Sequence, residues 1–176
     1  LEGAPVLPVS SRTREGLDAL RDELRRLLRE QPERSAEGVP RLPIDRSFVQ
    51  KGFGTVVTGT LVSGAVSEGD EIEILPGGKR GRVRGLQVHK RKVKTVCAGQ
   101  RVAVNIQGLE CSDAPRGATL TAPSALLTTR RARVLVDLLP TAPAPLRRGG
   151  PVRLHQGTCE RAGRLRVTSA PAEGPL

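Results

Sequence analysis

The chain has no methionine, tryptophan or tyrosine, and only two phenylalanines and three cysteines. Without methionine, Leu1 is not a natural start, so the sequence reads as a fragment with further chemistry expected outside it. The cysteines, Cys97, Cys111 and Cys159, are odd in number and far apart, which argues against a disulfide framework and suits a reducing cytosol. No Cys-x-x-Cys occurs, and His89 and His155 do not fall at zinc-ligand spacing relative to them, so no metal site is expected. No histidine is placed to activate a thiol, and the cysteines read as small fillers. No apolar run approaches the ~20 residues of a membrane-spanning helix. No basic stretch followed by an apolar core opens the chain. The expectation is a cytoplasmic protein with no membrane partner.

A phosphate loop, Gly-x-x-x-x-Gly-Lys-Ser/Thr, is also lacking. Gly54 and Gly59 have the glycine spacing, but Thr60 follows in place of lysine and the surroundings are strand-like. These glycines read as easing tight strand packing or bulges. No Asn-Lys-x-Asp is present. The sequence therefore offers no catalytic residues and no phosphate-loop hydrolysis of its own. Phe48 and Phe53 are the only aromatics, too few for a base-stacking platform. Any nucleic-acid contact is expected to go mainly to phosphate and sugar.

What is present is basic charge. The 176 residues carry a net charge of +11. Residues 1–40 hold 7 basic and 8 acidic groups, residues 41–124 hold 13 and 7, and residues 125–176 hold 9 and 3. The excess begins near residue 41 and points to a polyanionic partner there. Its densest run is His89-Lys90-Arg91-Lys92-Val93-Lys94. Such a run is either a solvated loop or a set of phosphate contacts.

Along the chain, residues 5–9 (PVLPV) read as a short buried strand. Leucines at 17, 20, 24, 27 and 28 then share one helical face. Thr13 is the expected N-cap, Glu15 suits the helix N-terminus, and Pro32 ends the helix. Residues 31–40 read as a polar linker. The remainder reads as β. Residues 55–62 are β-branched and apolar on both faces, and turns follow at 63–64 and 76–78. Residues 71–75, 82–88 and 101–106 are further strands. Ile72 and Ile74 point inward, as do Val102, Val104 and Ile106. Arg101 must then face away from the core. Short strands at such intervals argue for a small antiparallel barrel. Beyond Pro123 a second β unit is expected, with strands at 133–139, 151–155 and 161–168, and it stops at Leu176 before a barrel could close.

The order strand, Ser-Ser, helix, linker, then KGFGTVVTGT resembles the end of a translational GTPase's G domain running into its second, barrel domain. Elongation factor Tu, the initiation factor gamma subunit and the selenocysteine-specific factors share this layout. Three segments resemble the selenocysteine-specific factors in particular: RLPIDRSFVQKGFGTVVTGTLVSG (41–64), VRGLQVHKRKV (83–93) and AGQRVAVNIQG (98–108). The resemblance implies four parts: the end of a GTP-binding domain (1–31), a linker (32–40), a domain II barrel (41–124) and a partial domain III barrel (125–176). The implied class is mainly β, with a strand–helix remnant of an α/β domain at the N-terminus.

By position, the resemblance places Ser10, Ser11 and Arg12 in a guanine-binding loop. It places Asp45, Arg46 and Arg101 at a pocket for the selenocysteine side chain, and it makes Lys90, Arg91, Lys92 and Lys94 candidates for tRNA phosphate contacts. The chemistry of the pocket is sensible on its own terms. A selenol is more acidic than a thiol and is anionic at neutral pH, whereas serine is neutral. Two guanidiniums would favour the anion by charge-assisted hydrogen bonds. Asp45 would orient an arginine or temper the charge. Asp45 and Arg46 are consecutive, so both reach one pocket only at a strand end or a bulge. The plain alternative is a surface ion pair contributing ~0–1 kcal/mol.

The resemblance further implies a monomeric factor that binds GTP and Mg2+ through its G domain. That factor would carry selenocysteinyl-tRNA to the ribosome and read a selenocysteine insertion element in mRNA through C-terminal domains. Two alternatives stay open: another elongation factor Tu-like GTPase, such as an initiation factor gamma subunit or a GTP-binding paralogue, and a non-enzymatic RNA-binding barrel.

Overall fold

A computed structural model describes residues 4–31, 36–142 and 149–167. The chain divides into two compact units, residues 1–34 and residues 35–176.

In the first unit the helix α1 spans Leu17–Glu30. Its polar side carries ion pairs at three- and four-residue spacing, among them Arg26 with Glu23 at 2.5 Å and with Glu30 at 2.6 Å. None of its residues is buried within the described part, and Leu24 and Leu28 are exposed. The helix starts later than Thr13. Arg14 and Gly16 both adopt left-handed backbone conformations, which interrupt the helical turn, and Gly16 is the N-cap with no side-chain hydrogen bond. The Thr13 and Ser10 hydroxyls instead accept hydrogen bonds inside the loop, from the amides of Glu15 and Thr13. Residues 5–9 form no strand. Val6 is almost fully exposed, and no described strand offers Val6 or Val9 a ladder partner. Pro32 lies outside the described residues. Gln31 before it is extended (φ −78°, ψ 130°), as a residue preceding proline tends to be.

The second unit is built on a closed barrel. Its strands are β1 (Arg41–Gln50), β2 (Gly54–Thr60), β4 (Glu71–Leu75), β5 (Lys79–Val88), β8 (Arg101–Gln107) and β9 (Thr119–Thr121), ordered β4-β9-β1-β2-β8-β5 and closed by β5 pairing with β4. β6 (Arg91–Val93) extends the sheet beyond β5, and β3 (Ala65–Ser67) pairs with β7 (Thr95–Cys97). Every pairing is antiparallel. Alternation decides what points inward. Val102, Val104 and Ile106 of β8 meet Leu42, Ile44, Val57, Ile72, Ile74, Leu86 and Leu120 in one buried core. Glu71 and Glu73 face out, Glu71 opposite Arg82. Closure removes the sheet edges that an open arrangement would leave unpaired.

Gly59 is a site of tight strand packing. A β-carbon there would lie 2.2 Å from the Pro43 carbonyl oxygen and 3.1 Å from the Leu42 side chain. Only glycine lets β1 cross β2 this closely. Gly54 differs: a β-carbon there would meet nothing within 4 Å, and its φ of +82° is what favours glycine.

Beyond the barrel, β10 (Pro151–Gln156) and β11 (Cys159–Arg164) form a hairpin. The described part of β11 ends earlier than expected, and Thr168 lies outside the described residues. Residues 133–139 are not a strand. Val134, Leu135 and Leu139 are exposed, and no described strand pairs with them. Alternating apolar residues make a strand only when an edge is available to hydrogen-bond to. No described helix is long and apolar enough to cross a membrane.

Candidate functional site

The site forms where β1 departs from regular pairing with β2. Ile44 pairs with Gly59 and Arg46 with Thr58, leaving Asp45 as an extra residue in a bulge. Without the bulge, Asp45 and Arg46 would point to opposite faces. With it, both can serve the outer face. Thr58 and Ala103 are paired across β2 and β8, and Arg101 opposite Thr60 shares their outward face. Ser10, Ser11 and Arg12 belong to the other unit, in the turn before α1.

The geometry around Asp45 is specific. Both terminal nitrogens of Arg101 donate to its carboxylate, Nη1 to Oδ2 and Nη2 to Oδ1, the latter at 3.2 Å. The Thr58 hydroxyl donates to Oδ1 at 2.5 Å. Nη1 of Arg116 donates to the Asp45 backbone carbonyl at 3.3 Å. The Asp45 side chain is 20% exposed and that of Arg101 is 53% exposed, so one partner is anchored and the other presents an open edge. Burial pushes the Asp45 carboxyl up. Hydrogen bonds from Arg101 and Thr58, with the charges of Arg101 and Arg46, outweigh that and hold its pKa below the ordinary aspartate value. The hydrogen bond to Asp45 in turn raises the pKa of Arg101. The Arg46 side chain is exposed, and its charge acts on Asp45 without a hydrogen bond to it. The cluster thus holds three guanidiniums against one carboxylate. One arginine is locked in a two-pronged pair, a second is exposed with its charge acting on Asp45, and a third secures the backbone. This arrangement can receive an anion at the open edges of Arg101 and Arg46.

Beside it, on the same outer face, lies a cavity of about 320 Å³ lined by Phe48, Phe53, Val56, Gln87, Lys92 and Asn105, among others. Phe48 sits opposite Val56, and Val56 opposite Asn105. Asn105 Nδ2 donates to the Phe53 carbonyl at 2.6 Å, tying the β1–β2 turn over the cavity. Val56 explains why β2 is apolar on both faces, since one face fills the core and the other walls this cavity. Counted along the sequence, two aromatics are too few for a stacking platform. Strand register brings both of them to one place.

The basic run does not form one surface. β5 and β6 join through a two-residue turn at His89 and Lys90, both at positive φ, with Val88 opposite Arg91. Val93 packs on the core, so Arg91 shares its face, and Lys92, opposite Gln87, points to the outer cavity. Lys90 is at the turn. Lys94 lies between β6 and β7, its carbonyl accepting from the Glu68 amide at 2.8 Å. Alternation therefore separates Arg91 from Lys92.

Sequence reasoning missed Arg116 and Thr58. Arg116 stands in a loop, where no periodicity marks it. Thr58 sits in a run read only as scaffold. The three cysteines are free and partly buried. Among the described residues no cluster of His, Cys, Asp and Glu could hold a metal ion.

Residues 54–121 match the family model for elongation factor Tu domain 2. The selenocysteine-specific elongation factor of Desulfomicrobium baculatum is 43% identical over 166 residues, which is 94% of this chain and 26% of that protein. That of Escherichia coli (strain K12) is 39% identical over 155 residues, 85% of this chain and 24% of that protein. The crystal structure of translation elongation factor SelB from Methanococcus maripaludis in complex with the GTP analogue GPPNHP superposes with a TM-score of 0.78 at 28% identity, covering 93% of this chain and 36% of that one. The chain spans about a quarter of the length of the curated relatives it matches.

Proposed function

We propose a function from one premise: the chain belongs to the elongation factor Tu-like family, and the relatives it matches along most of its length are selenocysteine-specific elongation factors. In this reading residues 41–124 are the factor's second domain and hold the aminoacyl end of selenocysteinyl-tRNA, while residues 1–31 close its GTP-binding domain and residues 125–176 belong to its third. The complete factor would bind GTP with Mg2+ through its G domain. Ser10, Ser11 and Arg12 would border the guanine there, in a turn preceding a helix. The factor would deliver its tRNA to the ribosome in the cytoplasm as a monomer and engage the mRNA element through other domains.

The observation that carries the proposal is the bulge at Asp45. It gathers Arg46 and Arg101 on one outer face, with Asp45 fixing the orientation of Arg101. A selenolate would meet one guanidinium held in place, that of Arg101, and a second, that of Arg46, on the same face. A serine hydroxyl meets the same donors without a charge to answer them. Charge-assisted hydrogen bonds contribute about 1.5–3 kcal/mol each, enough to separate two side chains of nearly equal size. The adjoining cavity, lined by both phenylalanines and by Gln87, Asn105, Glu68 and Arg84, suits the nucleoside that carries the aminoacyl ester. Lys92 at its edge suits the phosphate before it.

The test uses the full-length factor with one tRNA body charged with selenocysteine or with serine. Arg101→Ala should weaken binding of the selenocysteinyl form about ten- to a hundredfold and leave the seryl form nearly unchanged. Equal loss for both would remove the pocket from the account and favour a general elongation factor Tu-like carrier.

A further inference from the structure

The extra residue of a bulge has no ladder partner to fix it, so its two flanking peptide groups must be held by something else. Here the tethers are visible. The peptide between Ile44 and Asp45 is held through the Ile44 carbonyl, which accepts from the Gly117 amide at 3.0 Å and from the Thr158 hydroxyl at 2.7 Å. The peptide after Asp45 is held through its own carbonyl by Arg116. Gly117 and Arg116 come from the stretch leading into β9. Thr158 comes from the turn of the β10–β11 hairpin, 114 positions along the chain from Ile44.

That turn is shaped for the contact. Gln156 pairs with Cys159, leaving Gly157 and Thr158 as a two-residue loop. Gly157 has φ +57°, at the first loop position, where a II′ hairpin turn calls for glycine. A β-carbon at Gly157 would lie 2.9 Å from Cβ of Pro43, two residues before Asp45. A β-carbon at Gly117 would lie 3.3 Å from Cα of Cys159. The hairpin therefore touches the barrel through glycines on both sides and places one hydroxyl on the carbonyl next to the bulge. With the Gly117 amide on the same oxygen, two donors orient the peptide plane from which Asp45 departs.

We infer that Thr158 is a positioning residue for the anion pocket: the β10–β11 hairpin sets the orientation of Asp45, and through it that of Arg101. The inference rests on the proposed selenolate reading of that pocket. It makes selectivity depend on a residue that touches no part of the aminoacyl group.

The experiment compares Thr158→Val, Thr158→Ser and Arg101→Ala in the full-length factor. It measures the ratio of dissociation constants for seryl- and selenocysteinyl-tRNA on one tRNA body. Thr158→Val keeps the shape and removes the donor. It should cut the selectivity ratio about fivefold, and Thr158→Ser should restore it. Gly157→Ala, which pushes the turn off Pro43, should lower the ratio in the same direction. If Thr158→Val weakens both tRNAs equally, or leaves the ratio intact while Arg101→Ala collapses it, the hairpin does not position the pocket. If Arg101→Ala leaves the ratio intact, the pocket reading itself fails, and the inference fails with it.

Discussion

At the scale of single residues, Asp45 is held by Arg101 and Thr58. Its pKa is depressed, which gives the sign of a pH effect. A carboxylate with a folded pKa below its unfolded value contributes stability that is fully present above the unfolded pKa, about 3.9. That contribution is lost as pH falls through the folded pKa. The stability difference between the wild type and Asp45→Asn should therefore be constant above about pH 5 and shrink below the ordinary aspartate range. Urea unfolding at a series of pH values reads it. Because Arg101 is about half exposed, solvent screening keeps the contribution at ~1 kcal/mol or less. A difference that grew on acidification would mean that Asp45 is not the ionised partner described here.

At the scale of elements, legibility followed periodicity. β4, β5, β8 and β10 were readable because alternating apolar residues or turn residues bound them. Residues 5–9 and 133–139 carried the same apolar signal and formed no ladder among the described residues, because a pattern specifies a face and not a partner. The helix start was misplaced for a related reason. Ser10 and Thr13 are good capping residues, but their hydroxyls were taken by the loop, and left-handed Arg14 and Gly16 deferred the first turn to Leu17. The bulge was foreseen only as a condition, one of two ways for Asp45 and Arg46 to meet. Nothing in IDR announces an unpaired residue. It emerges from how β1 registers against β2 and β9 together.

The basic hairpin yields a prediction at this same scale. Run together in sequence, Arg91 and Lys92 look equivalent, yet alternation sends them to opposite faces. If Lys92 borders the nucleic-acid path, Lys92→Gln should lower the salt slope of tRNA binding by up to about one unit. Arg91→Gln should leave that slope unchanged. Equal reductions would place the RNA over the hairpin tip. No change in either would return the run to a solvated loop.

At the scale of the whole molecule, a closed barrel supplies a rigid outer wall on which three features line up: an arginine cluster, a cavity with both aromatics, and a lysine at its rim. Their order follows cross-strand pairing, Arg46 to Thr58, Thr58 to Ala103, Ala103 to Gln87 and Gln87 to Lys92. In the proposed function this row of paired positions on one face is the path of the single-stranded tRNA end. Under the proposed function, this row accounts for part of the basic excess of residues 41–124. The acidic side chains of that region are drawn off into ion pairs and turns, such as Glu71 with Arg82 and Asp70 with the Ser67 amide.

The central claim is that the pocket recognises charge rather than size. The most direct measurement leaves the protein unaltered and changes the ligand's charge. One tRNA body, linked through a non-hydrolysable amide to cysteine or to serine, is titrated against the full-length factor from pH 7 to 9.5. A free thiol ionises near pH 8.5, and the hydroxyl does not ionise in this range. The affinity of the cysteinyl form should rise about tenfold relative to the seryl form as the thiolate appears. Affinities that move in parallel across that range would contradict the account.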